Sequence, residues 1–161
     1  MKAINLSDID KEVHLGALLH SLKDFYDYFT SNNLLHRYCN LIWGLYNEFI
    51  ITYYLDGNFV DKLGWGDFEK NGYYYDIKIT NKDIVYLPCH RVLWGKYDYI
   101  LFSKVVNNEI ILLGTLPRIT LSKFPKWVRI NGRYIRANQN ERDDKCVYIL
   151  FLNRLHYGSI P

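Results

Sequence analysis

Hydrophobic positions change their period partway along the chain. Between Ser7 and Phe29 the apolar residues Leu15, Leu18, Leu19, Leu22, Phe25 and Phe29 recur at helical spacing, with Ser7 or Asp8 as a candidate cap. Ser31-Asn32-Asn33 interrupts that run. A second helix is predicted from about Leu34 to Leu55, with Leu34, Leu35, Tyr38, Leu41, Ile42, Leu45, Phe49 and Tyr53 on or near one stripe. It stops at Asp56-Gly57-Asn58. Beyond that point the pattern is strand-like. Strands are predicted near 59–63, 66–70 and 73–80, the last two joined at Lys70-Asn71-Gly72, because Asn-Gly suits a tight hairpin turn. Residues 90–97 fit a short helix or an irregular link. Segments 98–106 and 109–117 form a second hairpin around Asn107-Asn108, and a loop then leads to a third around Asn131-Gly132. Residues 145–155 suit strand or helix. Helices followed by a mostly antiparallel sheet give an α+β or mixed α/β domain.

Within this frame one strand carries an anomaly. In Tyr73-Tyr74-Tyr75-Asp76-Ile77-Lys78-Ile79-Thr80, alternation sets Tyr73, Tyr75, Ile77 and Ile79 on one face and Tyr74, Asp76, Lys78 and Thr80 on the other. A strand so aromatic and β-branched belongs inside a sheet, yet it carries a carboxylate and an ammonium side by side. Asp67 lies on the preceding strand, nine residues earlier, so a tight hairpin brings the two carboxylates together. Two such acids repel unless one is protonated or a cation lies between them. Oxygen-only ligation favours Mg²⁺, and Lys78 would then orient or help deprotonate a water at the same site. The blander alternative is an edge-strand ion pair of Asp76 and Lys78, worth little.

Composition narrows the class. The chain has 161 residues, 49% hydrophobic and 23% charged, enough for a core without staples. Three cysteines (Cys39, Cys89, Cys146), with no CxxC spacing, argue against a disulfide framework or zinc finger and suit a reducing cytosol. The N-terminus lacks the apolar core of a signal peptide, and no apolar run nears the ~20 residues of a membrane span, so a cytoplasmic protein is expected. Net charge is only +3, but residues 1–80 hold 7 basic against 11 acidic residues and residues 81–161 hold 13 against 6. Within 118–142 seven basic residues face one acid, Glu141. That asymmetry suits metal gathered in one half and a polyanion in the other, or simply a solvated cationic face.

Asp67, then Asp76-Ile77-Lys78, with Glu48 on a preceding helix, resembles the PD-(D/E)xK nuclease superfamily over residues 44 to 106. The resemblance implies a restriction-endonuclease-like core within a mixed sheet, and Mg²⁺-dependent hydrolysis of DNA phosphodiesters, with Mn²⁺ able to substitute. It implies metal ligation by Asp67, Asp76 and the backbone carbonyl of Ile77, service to the attacking water by Lys78, and a second metal or a water held by Glu48. Glu69 is a candidate accessory ligand, and Glu12 a substitute for Glu48. Two features depart from the family pattern: Gly66 stands where a proline usually precedes the first acid, and the second acid is Asp rather than Glu. One domain, 1–161, is expected: a helical element at 1–32, a nuclease-like core at 33–117 and a basic region at 118–161. Arg118, Lys123, Lys126, Arg129, Arg133 and Arg136 are expected to contact phosphates, with Arg129 and Arg133 on a ribbon suited to a duplex groove. Cutting both strands implies a homodimer or higher oligomer. The expected activity is therefore a metal-dependent DNA endonuclease of homing, restriction or junction-resolving type; the alternative is an inactive nuclease-fold protein that only binds nucleic acid.

Overall fold

The structure, a computed structural model, describes residues 1–5, 24, 27–28, 31–32, 36–60 and 62–161, with side chains left aside at 36–42. Most of the first expected helix, with Glu12, His14 and His20, lies outside the described residues, though Asp24, Asp27, Tyr28 and Ser31 are helical. The second helix is α1, His36–Tyr54. Its buried face differs from the expected stripe. Ile50, Ile51 and Leu55 are buried, whereas Leu45 and Tyr53 are exposed. Apolar residues occupy nearly every side of its last three turns, so periodicity alone could not choose a face; contact with the sheet chose it.

That sheet has six strands in the order β1-β7-β6-β4-β3-β2: β1 (Lys2–Asn5), β2 (Asn58–Phe59), β3 (Phe68–Lys70), β4 (Tyr73–Thr80), β6 (Tyr99–Val106) and β7 (Glu109–Pro117). A second sheet runs β5-β10-β8-β9: β5 (Ile84–Pro88), β8 (Lys126–Ile130), β9 (Arg133–Arg136) and β10 (Cys146–Phe151). A short helix α2, Cys89–Trp94, links β5 to β6. The molecule is thus mixed α and β, mostly sheet. Four details differ from expectation. The strand expected at 59–63 is only two residues long, β1 and β5 were not foreseen, and β4 pairs with β6 in parallel. A parallel neighbour leaves no turn signature because its partner lies some twenty residues away in sequence.

Three predicted turns are realised. Asn71 and Gly72, Asn107, and Asn131 and Gly132 all have positive φ, the geometry that tight two-residue hairpins require. The core has two halves, one on each face of the six-stranded sheet. On one face, Ile50 and Ile51 of α1 and Leu55 just after it pack with Phe68, Tyr75, Ile77, Leu101, Ile110 and Leu112. On the other, Ile100, Phe102 and Leu116 meet Val85, Leu87, Cys146, Tyr148 and Leu150 of the second sheet, with Cys89 and Val92 of α2. The C-terminal strands are therefore integral to the same core. β4 lies between β6 and β3, its apolar face toward α1, so Asp76 and Lys78 look the other way.

Gly66 is the tightest point. Its φ is +92°, and a Cβ there would stand 2.5 Å from the Tyr75 carbonyl oxygen. Proline, with φ near −65°, could not occupy it, which accounts for its absence before Asp67. Gly66→Ala should lower stability by about 3 kcal/mol, or ~10 °C in Tm, by thermal denaturation.

Candidate active site

The pair register of β3 and β4 brings the acids together. Phe68 pairs with Tyr75 and Glu69 with Tyr74, and the ladder ends there; Asp67, expected within the strand, lies just before β3, near enough to Asp76 to feel its charge. The Phe68 and Tyr75 rings stack at 4.8 Å on the buried side, which locks that register. The Asp67 amide donates to the Tyr75 carbonyl at 2.7 Å, and the Asp67 Oδ2 accepts the Ile77 N–H at 2.5 Å. In a strand the N–H and C=O of one residue point to the same side, so the Ile77 carbonyl is directed toward Asp67 as well. Lys78 Nζ meets Asp76 Oδ2 at 2.6 Å, with the two side chains 33% and 15% exposed. Asp76 Oδ2 is buried, and the Lys78 ammonium is the charge that balances it.

Glu48 reaches the same cleft from α1. The helix end is held against the hairpin because Lys70 Nζ donates to the Leu55 carbonyl and Gly57 lies against the Phe68 ring. Burial, then the Asp67 charge, pushes the Glu48 carboxyl up to about 7. Burial and then Asp76 likewise raise Asp67 to about 6, against the Ile77 hydrogen bond and Lys78. Burial alone would pull Lys78 down, but Asp76, Asp67 and Glu48 outweigh it and its net shift is upward. Lys78 thus remains an ammonium, able to orient a water and neutralise charge.

These groups line an open cleft of about 1760 Å³ between β4 and the edge strand β5. His90, Arg91 and Tyr97 line it too; His90 and Arg91 follow β4 closely enough in sequence for a phosphate contact to be expected of them, whereas Tyr97 was not foreseen. Burial, then the Asp76 carboxylate, holds the Tyr97 phenol far above the ordinary tyrosine range, so it stays a neutral donor. Tyr97 lies in the irregular link before β6, where no periodic pattern marks it. Among the described residues no three His, Cys, Asp or Glu side chains stand close enough to enclose a metal by themselves.

Other expected residues are engaged elsewhere. Glu69 accepts from Asn58 at 2.9 Å and from the Gly72 amide at 2.7 Å, which lowers its pKa and commits it to the turn rather than to a metal. Arg118, expected to contact phosphate, is engaged with backbone carbonyls. Its Nε donates to the Tyr97 carbonyl at 2.8 Å and its guanidinium to the Val92 and Leu93 carbonyls, so it ties α2 to the link before β6. Lys126 is paired with Asp143 at 2.5 Å and shares the inward face with Tyr148. Lys123, Arg129, Arg133 and Arg136 are exposed. Cys89 is buried, and that burial pushes its thiol up to about 11, away from the thiolate a nucleophile needs.

The chain matches no protein-family model, no curated protein and no solved structure. No helix among the described residues is long and apolar enough to cross a membrane.

Because Glu48 is raised in the folded state, ionising it there is costly. The cost is absent below the unfolded value of 4.5, grows as pH rises toward 7, and is complete above 7. Glu48→Gln removes a charge the fold resists. The variant should be more stable than the wild type at pH 8 by on the order of 2 kcal/mol, ~6 °C in Tm, and indistinguishable at pH 4.5. Equal gaps at both pH values would mean the carboxyl is not shifted.

Proposed function

We propose that this chain is a metal-dependent DNA endonuclease with a PD-(D/E)xK-type site and a restriction-endonuclease-like core, acting in the cleft between β4 and β5. The observation that carries this is the nearness of Asp67, just before β3, to Asp76 on β4, with Lys78 Nζ 2.6 Å from Asp76 and Glu48 close enough to feel all three. Asp67, Asp76 and Lys78 share a space that burial makes hostile to net charge, with Glu48 near enough to feel them. A divalent cation relieves that crowding, and the Asp76 carboxylate, otherwise balanced by Lys78 at 2.6 Å, is an oxygen donor suited to it.

The donor set is all oxygen: Asp67, Asp76 and the Ile77 carbonyl, with solvent and substrate completing the shell, as Mg²⁺ favours. Bound there, the ion would supply charge neutralisation on the phosphate and polarisation of the attacking water. Lys78 would hold that water or a phosphate oxygen through its ammonium. Glu48, held near 7, would take up the water's proton as its oxygen bonds to phosphorus and the bond to the leaving 3′ oxygen breaks. Tyr97 would donate a hydrogen bond from the cleft wall. Cutting both strands of a duplex would take two copies of the chain.

One observation favours a second reading, a nucleic-acid-binding protein with an inactive nuclease-type site: no cluster of three potential metal-ligating side chains is preassembled among the described residues. Nicking of supercoiled plasmid separates the two. With Mg²⁺ or Mn²⁺ the wild type should nick and EDTA should stop it. Asp67→Ala, Asp76→Ala and Lys78→Ala should each reduce the rate at least about 100-fold while circular dichroism is unchanged. Full activity in Lys78→Ala would remove the proposed site; retention of DNA with no nicking in either metal would leave the binding protein.

A further inference from the structure

The outer face of the second sheet carries a strip of aromatic and cationic side chains that begins inside the cleft. Opposed residues in an antiparallel pair share a face, and so do alternate residues along a strand. Trp127 opposes Arg136 and Arg129 opposes Tyr134, so these four lie together on one face of the β8–β9 hairpin. Tyr86 of β5 is on the same outer face and also lines the cleft. Its ring stacks on Tyr134 at 5.2 Å between centroids, with 25° between planes. The Arg129 guanidinium lies 5.8 Å from the Tyr134 ring. Tyr86 is 48% exposed, and Arg129 and Arg136 are exposed. Residues 126–136 contain no Asp or Glu, and neither arginine has an ion-pair partner among the described residues.

We propose that this strip binds an unpaired DNA strand and leads it toward the cleft. An exposed Tyr86 and half-buried Tyr134 and Trp127 beside uncompensated guanidinium groups suit bases with free faces, which a duplex hides within its stack, while the arginines meet the phosphates. The hairpin is less suited to the duplex groove expected from the sequence. Arg133 opposes Ile130 and so lies on the other face from Arg129 and Arg136, which divides the cations instead of massing them. The substrate class is thus DNA with a single-stranded segment, such as a tail, flap or branch. That cleavage occurs at the cleft rests on the proposed nuclease reading; binding along the strip does not.

The test is fluorescence anisotropy of the full chain, in EDTA at low salt, with a labelled oligothymidylate of about twelve nucleotides, the matching duplex and an oligouridylate. The DNA single strand should bind most tightly. Tyr86→Ala and Tyr134→Ala should each weaken it about tenfold, and Tyr134→Phe should restore affinity because the ring is what stacks. Arg133→Ala, which removes the same charge from the opposite face, should cost under about threefold, and Arg129→Ala clearly more. Wild-type affinity in both tyrosine-to-alanine variants, equal losses in Arg129→Ala and Arg133→Ala, or tighter binding of the duplex or the RNA would each overturn the proposal. If the affinities follow this pattern but a bound tailed substrate is never cut in Mg²⁺, the strip stands and the nuclease reading falls. Cutting with unaltered binding in the tyrosine variants would do the reverse.

Discussion

The stacking of Phe68 on Tyr75 holds β3 and β4 in one register, and the crowding of Asp67 against Asp76 is the consequence on the opposite side. A slip of one residue would turn Asp76 and Lys78 into the apolar layer beneath α1, where neither charge could be solvated. The buried aromatic pair therefore stabilises the sheet and sets the acids at the same time. Gly66 makes the arrangement possible from the other end. Its positive φ lets the chain turn hard against the Tyr75 carbonyl and deliver Asp67 where the Ile77 amide can bond it.

The electrostatics of the site follow from this geometry. Burial resists charge on Glu48 and Asp67, repulsion from Asp67 adds to it at Glu48 and from Asp76 at Asp67, and Lys78 offsets part of both. The acids in turn keep Lys78 protonated despite its burial. Each group is therefore held in its state by the others. Anchoring the end of α1 through Lys70 and Gly57 matters for the same reason, because Glu48 joins the set only if that helix is held against the hairpin.

The basic half of the chain does not form one surface. Arg118 cross-links backbone carbonyls beneath α2, Lys126 pairs inward with Asp143, and Arg142 forms an ion pair with Asp144. What remains exposed is Lys123 and the hairpin arginines, and the hairpin divides those between its two faces. A guanidinium offers several donors at fixed angles, so it can satisfy buried carbonyls as readily as phosphates, and charge counting does not tell these uses apart.

Much was legible in the residues themselves. Asn-Gly and Asn-Asn turns, the period-two strands they join, the helix ending at Asp56-Gly57, and the two acids with an adjacent lysine are all local signals, set by backbone sterics and alternation. The helix face, the parallel pairing of β4 with β6, and the unforeseen β1 and β5 came only with the tertiary structure, because each depends on partners distant in sequence. The same holds for the site. Alternation already set Asp76 and Lys78 on one face, but whether Glu48 came near, whether Glu69 and Arg118 were free, and that Tyr97 and Tyr86 would line the cleft were decided by packing between layers. Local chemistry follows from neighbours along the chain; the cleft follows from neighbours in space.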